Sequence, residues 1–165
     1  MGKMRYTHGM HTIHCLVVGS AQESWQKEAI SQYIARLRPY TKIQLIEIPD
    51  ERESSTVPVE RLRAREAEVI LRRIPSESVL FVLDEGGKTF SSAEWASFLE
   101  SEAGNGTPIT FVIGGANGLD SSIRERAKRV ISFGKQTLPH ILARIVLLEQ
   151  IYRAETILLG KTYHR

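Results

Sequence analysis

SVLFVLDEGGK (Ser78–Lys88) and PITFVIGGANG (Pro108–Gly118) decide the fold of this chain. Each is an almost pure run of Val, Ile, Leu and Phe that stops on paired glycines. A strand with one wet face alternates apolar and polar residues, whereas a run that is apolar throughout needs cover on both faces. The expected strands are therefore Ser78–Asp84, followed by a turn at Glu85-Gly86-Gly87-Lys88, and Pro108–Ile113. Working outward, Thr12–Val18 is a similar run ending at Gly19, and Thr41–Ile48 and Val130–Phe133 bring the strands to five.

Helical spacing fills the intervals. Glu23–Arg38 places Trp25, Ile30, Tyr33, Ile34 and Leu37 on one stripe facing a core. The polar, aperiodic stretch 50–56 reads as a loop, and Pro58 then opens a helix with Leu62, Val69, Ile70 and Ile74 on its apolar side. Ser91 and Glu94 form a capping box ahead of Trp95, Phe98 and Leu99. Asp120 caps a short helix through Ala127, and a long final helix runs from about Pro139 to Leu159, closed by Gly160. Strands alternating with helices define an α/β protein, its parallel sheet sandwiched in an α/β/α arrangement. Residues 12–165 read as a single domain and residues 1–11 as a poorly ordered N-terminal extension.

Composition excludes several classes. No run approaches the ~20 apolar residues of a membrane-spanning helix, and MGKMRYTHGMH lacks the apolar centre of a secretory signal. The single cysteine, Cys15, sits in an apolar strand with no His or Asp at a recognisable spacing, so it reads as an inert buried thiol. With no disulfide framework, a reducing cytoplasm is the expected compartment. No Cys/His/Asp/Glu spacing matches a metal site, and His8, His11 and His14 in the leading segment offer at most adventitious metal binding. The net charge of +3 divides unevenly. Residues 121–165 hold nine Lys/Arg against three Glu, while residues 1–120 hold 13 against 16 acidic residues. A basic C-terminal third favours a polyanionic partner met from one side; a solvated helix surface is the alternative.

Ligands of open parallel sheets bind beyond the carboxyl ends of the strands. Three such ends carry suitable turns: Leu83–Gly87, Ile113–Gly118 and Phe133–Pro139. The first strand ends on a bare Gly19. GGANG lacks the spacing of a dinucleotide loop and the Lys-Ser/Thr of a Walker loop, so it is either a close backbone approach or a plain tight turn. The loop Phe133–Leu138 offers backbone donors and acceptors beside apolar walls, a surface suited to a neutral heterocycle such as adenine. His140, just after it, orients that loop or meets substrate, or is a packing residue. The last helix is apolar around much of its circumference, which implies burial against its own sheet and a partner subunit, and Glu149–Arg153 is an expected ion pair. The chain then ends at once on Lys161, Tyr163, His164 and Arg165, a cationic and aromatic tip directly behind a packed helix.

FVLDEGGK, FVIGGANG, TLPHILARIVLLEQIYRA and the terminal YHR, in that order and spacing, closely resemble the RlmH (YbeA) family of the SPOUT class of methyltransferases. The resemblance runs from about Ile13 to Arg165. It implies a C-terminal trefoil knot, a homodimer whose site is completed across the interface, and S-adenosylmethionine as cofactor. It also implies methylation of the ring nitrogen N3 of a pseudouridine in large-subunit (23S) ribosomal RNA on the assembled ribosome. By motif matching, Leu83, Gly114, Gly115, Phe133, Gly134, Lys135, Gln136, Thr137 and Leu138 hold the cofactor. At the tip, His164 is the first candidate for a catalytic base, Tyr163 for stacking on the target base and Arg165 for binding phosphate or the imide anion, with His140 second for the base. Two other readings stand beside this one: a catalytically silent RNA- or ribosome-binding module on the same fold, and a nucleotide-handling enzyme.

Overall fold

The computed structural model describes residues 10–51, 56–104 and 106–164, the side chain of residue 164 excepted. Most of the leading extension, most of the loop 50–56 and Arg165 lie outside the described residues. Five strands form one parallel sheet: β1 (Thr12–Val18), β2 (Lys42–Ile48), β3 (Val79–Thr89), β4 (Ile109–Ile113) and β5 (Arg129–Ser132), in the order β2-β1-β4-β3-β5. The helices are α1 (Ser24–Leu37), α2 (Val59–Arg73), α3 (Ser92–Ala103), α4 (Ser121–Arg126) and α5 (His140–Leu158), followed by a 3-10 turn at Thr162–His164.

The continuous apolar runs are covered on both faces. In β1, Ile13, Cys15 and Val17 join a core with α1, α3 and α5, while Leu16 and Val18 face the opposite core with α2 and α4. Phe81, Phe98, Phe111 and Trp95 cluster at the centre of the first core, with the Phe81 and Phe98 rings edge to face at 4.7 Å. Cys15 is buried there, and burial pushes its thiol up to about 12. The capping box at Ser91/Glu94, the Asp120 cap and the Gly160 terminator form as expected. Gly160 takes a positive φ of 65°, and the Lys161 and Gly160 amides close back on Thr156 and Ile157, satisfying carbonyls that the helix end would orphan.

Three expectations need correction. The turn at Glu85–Lys88 is instead the continuation of β3, which reaches Thr89 through a register shift against β5 between Leu83 and Lys88. Glycines there signal a close approach rather than a reversal: a Cβ on Gly87 would stand 2.6 Å from the backbone of Ile131. Trp25 does not join the α1 core stripe and is 47% exposed, leaving Ile30 and Leu37 as the buried residues of that helix. His11, assigned to the leading extension, is 6% exposed and places Nε2 3.0 Å from Oε1 of the buried Glu155. The packed region thus begins at least one residue before Thr12, because a buried carboxylate on α5 needs a partner there.

The path after β5 positions everything that follows. β5 lies at one edge of the sheet, while α5 packs between α1 and α3 with His140 against Gly19 at the end of β1. The segment Phe133–Pro139 therefore crosses the carboxyl ends of β3 and β4 to reach β1.

Candidate active site

The strand register gathers three loops. Leu83 pairs with Ile113 on one side and Ile131 on the other, so Gly114-Gly115 and Phe133 onward leave the sheet from flanking positions. Leu83 is buried in the core shared with α5, and Phe133 and Leu138 pack on that core, with the Phe133 ring stacked at 6.1 Å and 22° on Trp95. Ser132 Oγ accepts from the Gly134 amide and donates to its carbonyl, setting a bend in which Gly134 has φ 132°. Thr137 Oγ1 donates to the Glu85 carboxylate at 3.2 Å and ties the crossing segment to β3. Among the described residues, no backbone–backbone hydrogen bond involves Lys135–Leu138, so their amides and carbonyls remain available to a ligand.

This arrangement fits a nucleoside-bearing cofactor. Apolar surface comes from Leu83, Phe133 and Leu138, peptide groups from 135–138, and bare backbone from Gly115. A Cβ on Gly115 would meet Val18 Cγ1 at 2.9 Å and Asp50 Oδ1 at 3.3 Å; one on Gly114 would meet Leu119 at 2.8 Å. All nine residues assigned to the cofactor thus lie at one end of the sheet. The side chains of Lys135, Gln136 and Thr137 are exposed.

Sequence reading passed over the end of β1, and a second constellation sits there. A cavity of about 530 Å3 opens between the ends of β1 and β2, lined by Gly19, Ser20, Glu47, Ile48, Asp50 and His140 among others. Gly19 has φ 83°, and the His140 imidazole covers it so closely that a Cβ would stand 2.9 Å from Nε2. Arg144, one helical turn on, is wholly buried; it donates to Glu47 at 2.9 Å and to the carbonyls of Gly19 and Val18 at 3.0 and 3.3 Å. Burial, and then the Arg144 charge, hold the His140 imidazole below its usual pKa against an opposing pull from Asp50. A neutral imidazole able to accept a proton results. Beside it, Glu66 is buried against Asp50; burial above all, with the Asp50 and Glu51 charges, pushes it up to about 7 although the Glu51 amide donates to it. Gly19, at a strand end, and Arg144, on an apolar face, were the sequence signals available for this cluster.

The C-terminal tip forms a third cluster. Tyr163 donates to Glu149 at 3.0 Å, meets Tyr152 edge to face at 4.8 Å and lies under Arg153 at 4.9 Å. Arg153 and Glu149 form the expected ion pair, at 2.6 Å. Burial and then Glu149 raise the Tyr163 pKa, and burial with the same carboxylate pushes Tyr33 up to about 12, so both phenols stay protonated donors. The side chain of His164 and all of Arg165 lie outside the described residues. Tyr163 and His140 do not meet within one chain: the 3-10 turn folds Tyr163 back onto Glu149, Tyr152 and Arg153 of α5, which lie about 14–20 Å along the helix from His140 at 1.5 Å per residue. The charge argument also weakens, since Arg124, Lys128, Arg144 and Arg153, four of the nine late cations, are paired with Asp84, Glu102, Glu47 and Glu149.

Among the described residues, no three of His, Cys, Asp and Glu come together as a metal site, and no helix is long and apolar enough to cross a membrane. A parallel α/β/α sheet with glycine-rich and crossing loops gathered at the ends of β3, β4 and β5 is the architecture of a SPOUT-type methyltransferase. Over residues 11–164 the chain matches the family described as "Predicted SPOUT methyltransferase", and it belongs to that family. Within it, the chain is 44% identical over 153 residues to Ribosomal RNA large subunit methyltransferase H of Caldicellulosiruptor saccharolyticus, an alignment covering 93% of this chain and 99% of the relative. The resemblance drawn from FVLDEGGK, FVIGGANG and the final helix is thereby confirmed.

Proposed function

We propose that this protein is an S-adenosylmethionine-dependent methyltransferase that modifies N3 of a pseudouridine in large-subunit (23S) ribosomal RNA on the assembled ribosome, as a cytoplasmic homodimer. The observation that carries the reading is the convergence of Leu83, Gly115 and the Phe133–Leu138 loop at adjacent strand ends, in a chain so similar to a ribosomal RNA large subunit methyltransferase H. When bound there, the cofactor supplies an activated methyl group on a sulfonium. The protein's own task is then mostly alignment, which can supply ~7 kcal/mol or more of a barrier. Leu83, Phe133 and Leu138 would hold the adenine, and the segment that crosses from β5 to β1 would belong to the family's trefoil.

The imide nitrogen must lose its proton. His164 is the first residue to test as its acceptor, with Tyr163 stacking on the base, Arg165 on phosphate or the imide anion, and His140 second as base. Because α5 separates the tip from the cofactor loop, the tip of one protomer serves the loop of its partner. The modest net charge of +3 fits a substrate that contributes shape and area of its own, such as a ribosomal particle.

The test is methyl transfer from labelled S-adenosylmethionine to ribosomal particles lacking the modification, with free ribosomal RNA alongside. Label on a pseudouridine of the particle supports the reading. Cofactor binding by isothermal titration without transfer to the particle refutes the substrate, and absence of both favours a silent ribosome-binding module. His164→Ala lowers turnover at least tenfold with RNA binding intact; a smaller loss removes it from the mechanism.

A further inference from the structure

The cavity between β1 and β2 is not part of the cofactor constellation, yet it adjoins it. His140 follows the crossing loop by two residues, and Asp50, on the cavity wall, reaches within 3.3 Å of the Cβ position of Gly115. Its chemistry is one-sided. Two carboxylates, Glu47 and Asp50, and an imidazole line it, a set that repels phosphate and suits a neutral ring presenting N–H donors. A space of about 530 Å3 lies within the range that accepts small ligands.

Resting on the function proposed above, we infer that this cavity receives the target base and that Asp50 selects pseudouridine over uridine by accepting a hydrogen bond from ring N1–H. Pseudouridine is joined to its sugar through carbon, so N1 and N3 both carry hydrogen; in uridine N1 is consumed by the glycosidic bond. N3–H is lost in the reaction, which leaves N1–H as the group that marks the correct substrate.

Of the two carboxylates, Asp50 is the one placed for this. Glu47 Oε1 already accepts from Arg144 and from the Ala21 amide. Asp50 instead stands on the cavity wall beside Gly115, with the buried Glu66 carboxyl close to it. An acceptor so placed discriminates strongly, because a substrate without the matching donor leaves it unpaired.

The experiment compares initial rates of methyl transfer to particles bearing pseudouridine at the target and to particles bearing uridine there. It uses full-length wild type, Asp50→Ala and Asp50→Asn at enzyme concentrations that make the uridine rate measurable. Wild type should favour pseudouridine by about tenfold or more; Asp50→Ala should lose about tenfold of that ratio and Asp50→Asn somewhat less, with cofactor affinity by titration unchanged. Asparagine presents an amide donor as well as an acceptor, so it rescues only in part. A wild-type preference below about threefold, or a variant that retains the wild-type ratio, overturns the assignment of Asp50 while leaving the methyltransferase reading in place. If wild-type protein transfers to neither particle, the functional reading fails and this inference with it.

Discussion

Arg144→Met isolates the contribution of a buried guanidinium to the end of β1. The Arg144 side chain is wholly buried and makes three hydrogen bonds, to Glu47 and to the carbonyls of Gly19 and Val18. The three are not equal. Glu47 is 41% exposed, so losing that pair costs at most about 1 kcal/mol after solvent screening. Leaving the buried Gly19 and Val18 carbonyls without this donor costs about 1–3 kcal/mol in total, and methionine refills most of the apolar volume. The expected loss is about 1–4 kcal/mol, which for a domain of this size lowers the melting temperature by about 2–15 °C. Circular dichroism or calorimetry at pH 7.5 measures it, and Arg144→Lys should fall between the two proteins, since one ammonium cannot reproduce the fork. Methyl transfer should decline with it, because Gly19 is the surface on which His140 rests. A fall of less than about 2 °C for Arg144→Met would refute the claim that Arg144 pins this strand end.

Two further substitutions probe other links. Gly87→Ala should cost about 2–3 kcal/mol or abolish soluble expression, because its Cβ would meet the Ile131 backbone at 2.6 Å, whereas Gly86→Ala meets only Asp84 Oδ1 at 3.4 Å and should be neutral in a denaturant melt. Glu66 carries a folded-state pKa raised from 4.5 to about 7, so the folded protein holds this proton more tightly than the unfolded chain. Its stabilising contribution is full below about 4.5 and is lost as pH rises through 7. Glu66→Gln should therefore melt higher than wild type at pH 8, by on the order of 1 kcal/mol, with the gap closing toward pH 5; parallel melting curves across that range would contradict the assignment.

The sheet was legible because its chemistry is local. Apolar runs such as Val79–Leu83 and Ile109–Ile113 admit no exposed face, and Ser91, Asp120 and Gly160 mark helix ends through bonds to their own neighbours. What failed depended on distant contacts. Gly86-Gly87 has the composition of a turn, and only the neighbouring β5 backbone shows why a strand needs a residue without a side chain there. Trp25 has helical spacing with its apolar neighbours, yet it stands 47% exposed. The loops at the ends of β3, β4 and β5 were legible through their glycines and proline, whereas the Gly19–His140–Arg144 cluster joins residues more than a hundred positions apart, which no periodicity reports. The partition of the catalytic candidates along α5 was equally invisible, since it follows from where the 3-10 turn folds Tyr163 back onto Glu149 and from where the crossing segment delivers His140.

That partition is the centre of the account, and mixing two inactive proteins tests it most directly. Gly134→Val, at φ 132° with open space around it, strains the proposed cofactor loop; deletion of residues 163–165 removes the tip. Each variant alone should be inactive. Refolded or co-expressed together, half the dimers carry one protomer of each kind, and each of these holds one complete site if loop and tip come from different chains, giving about a quarter of wild-type transfer. Activity no greater than that of the separate variants, with mixed dimers confirmed by mass, would show that each chain builds its site alone and would contradict the account.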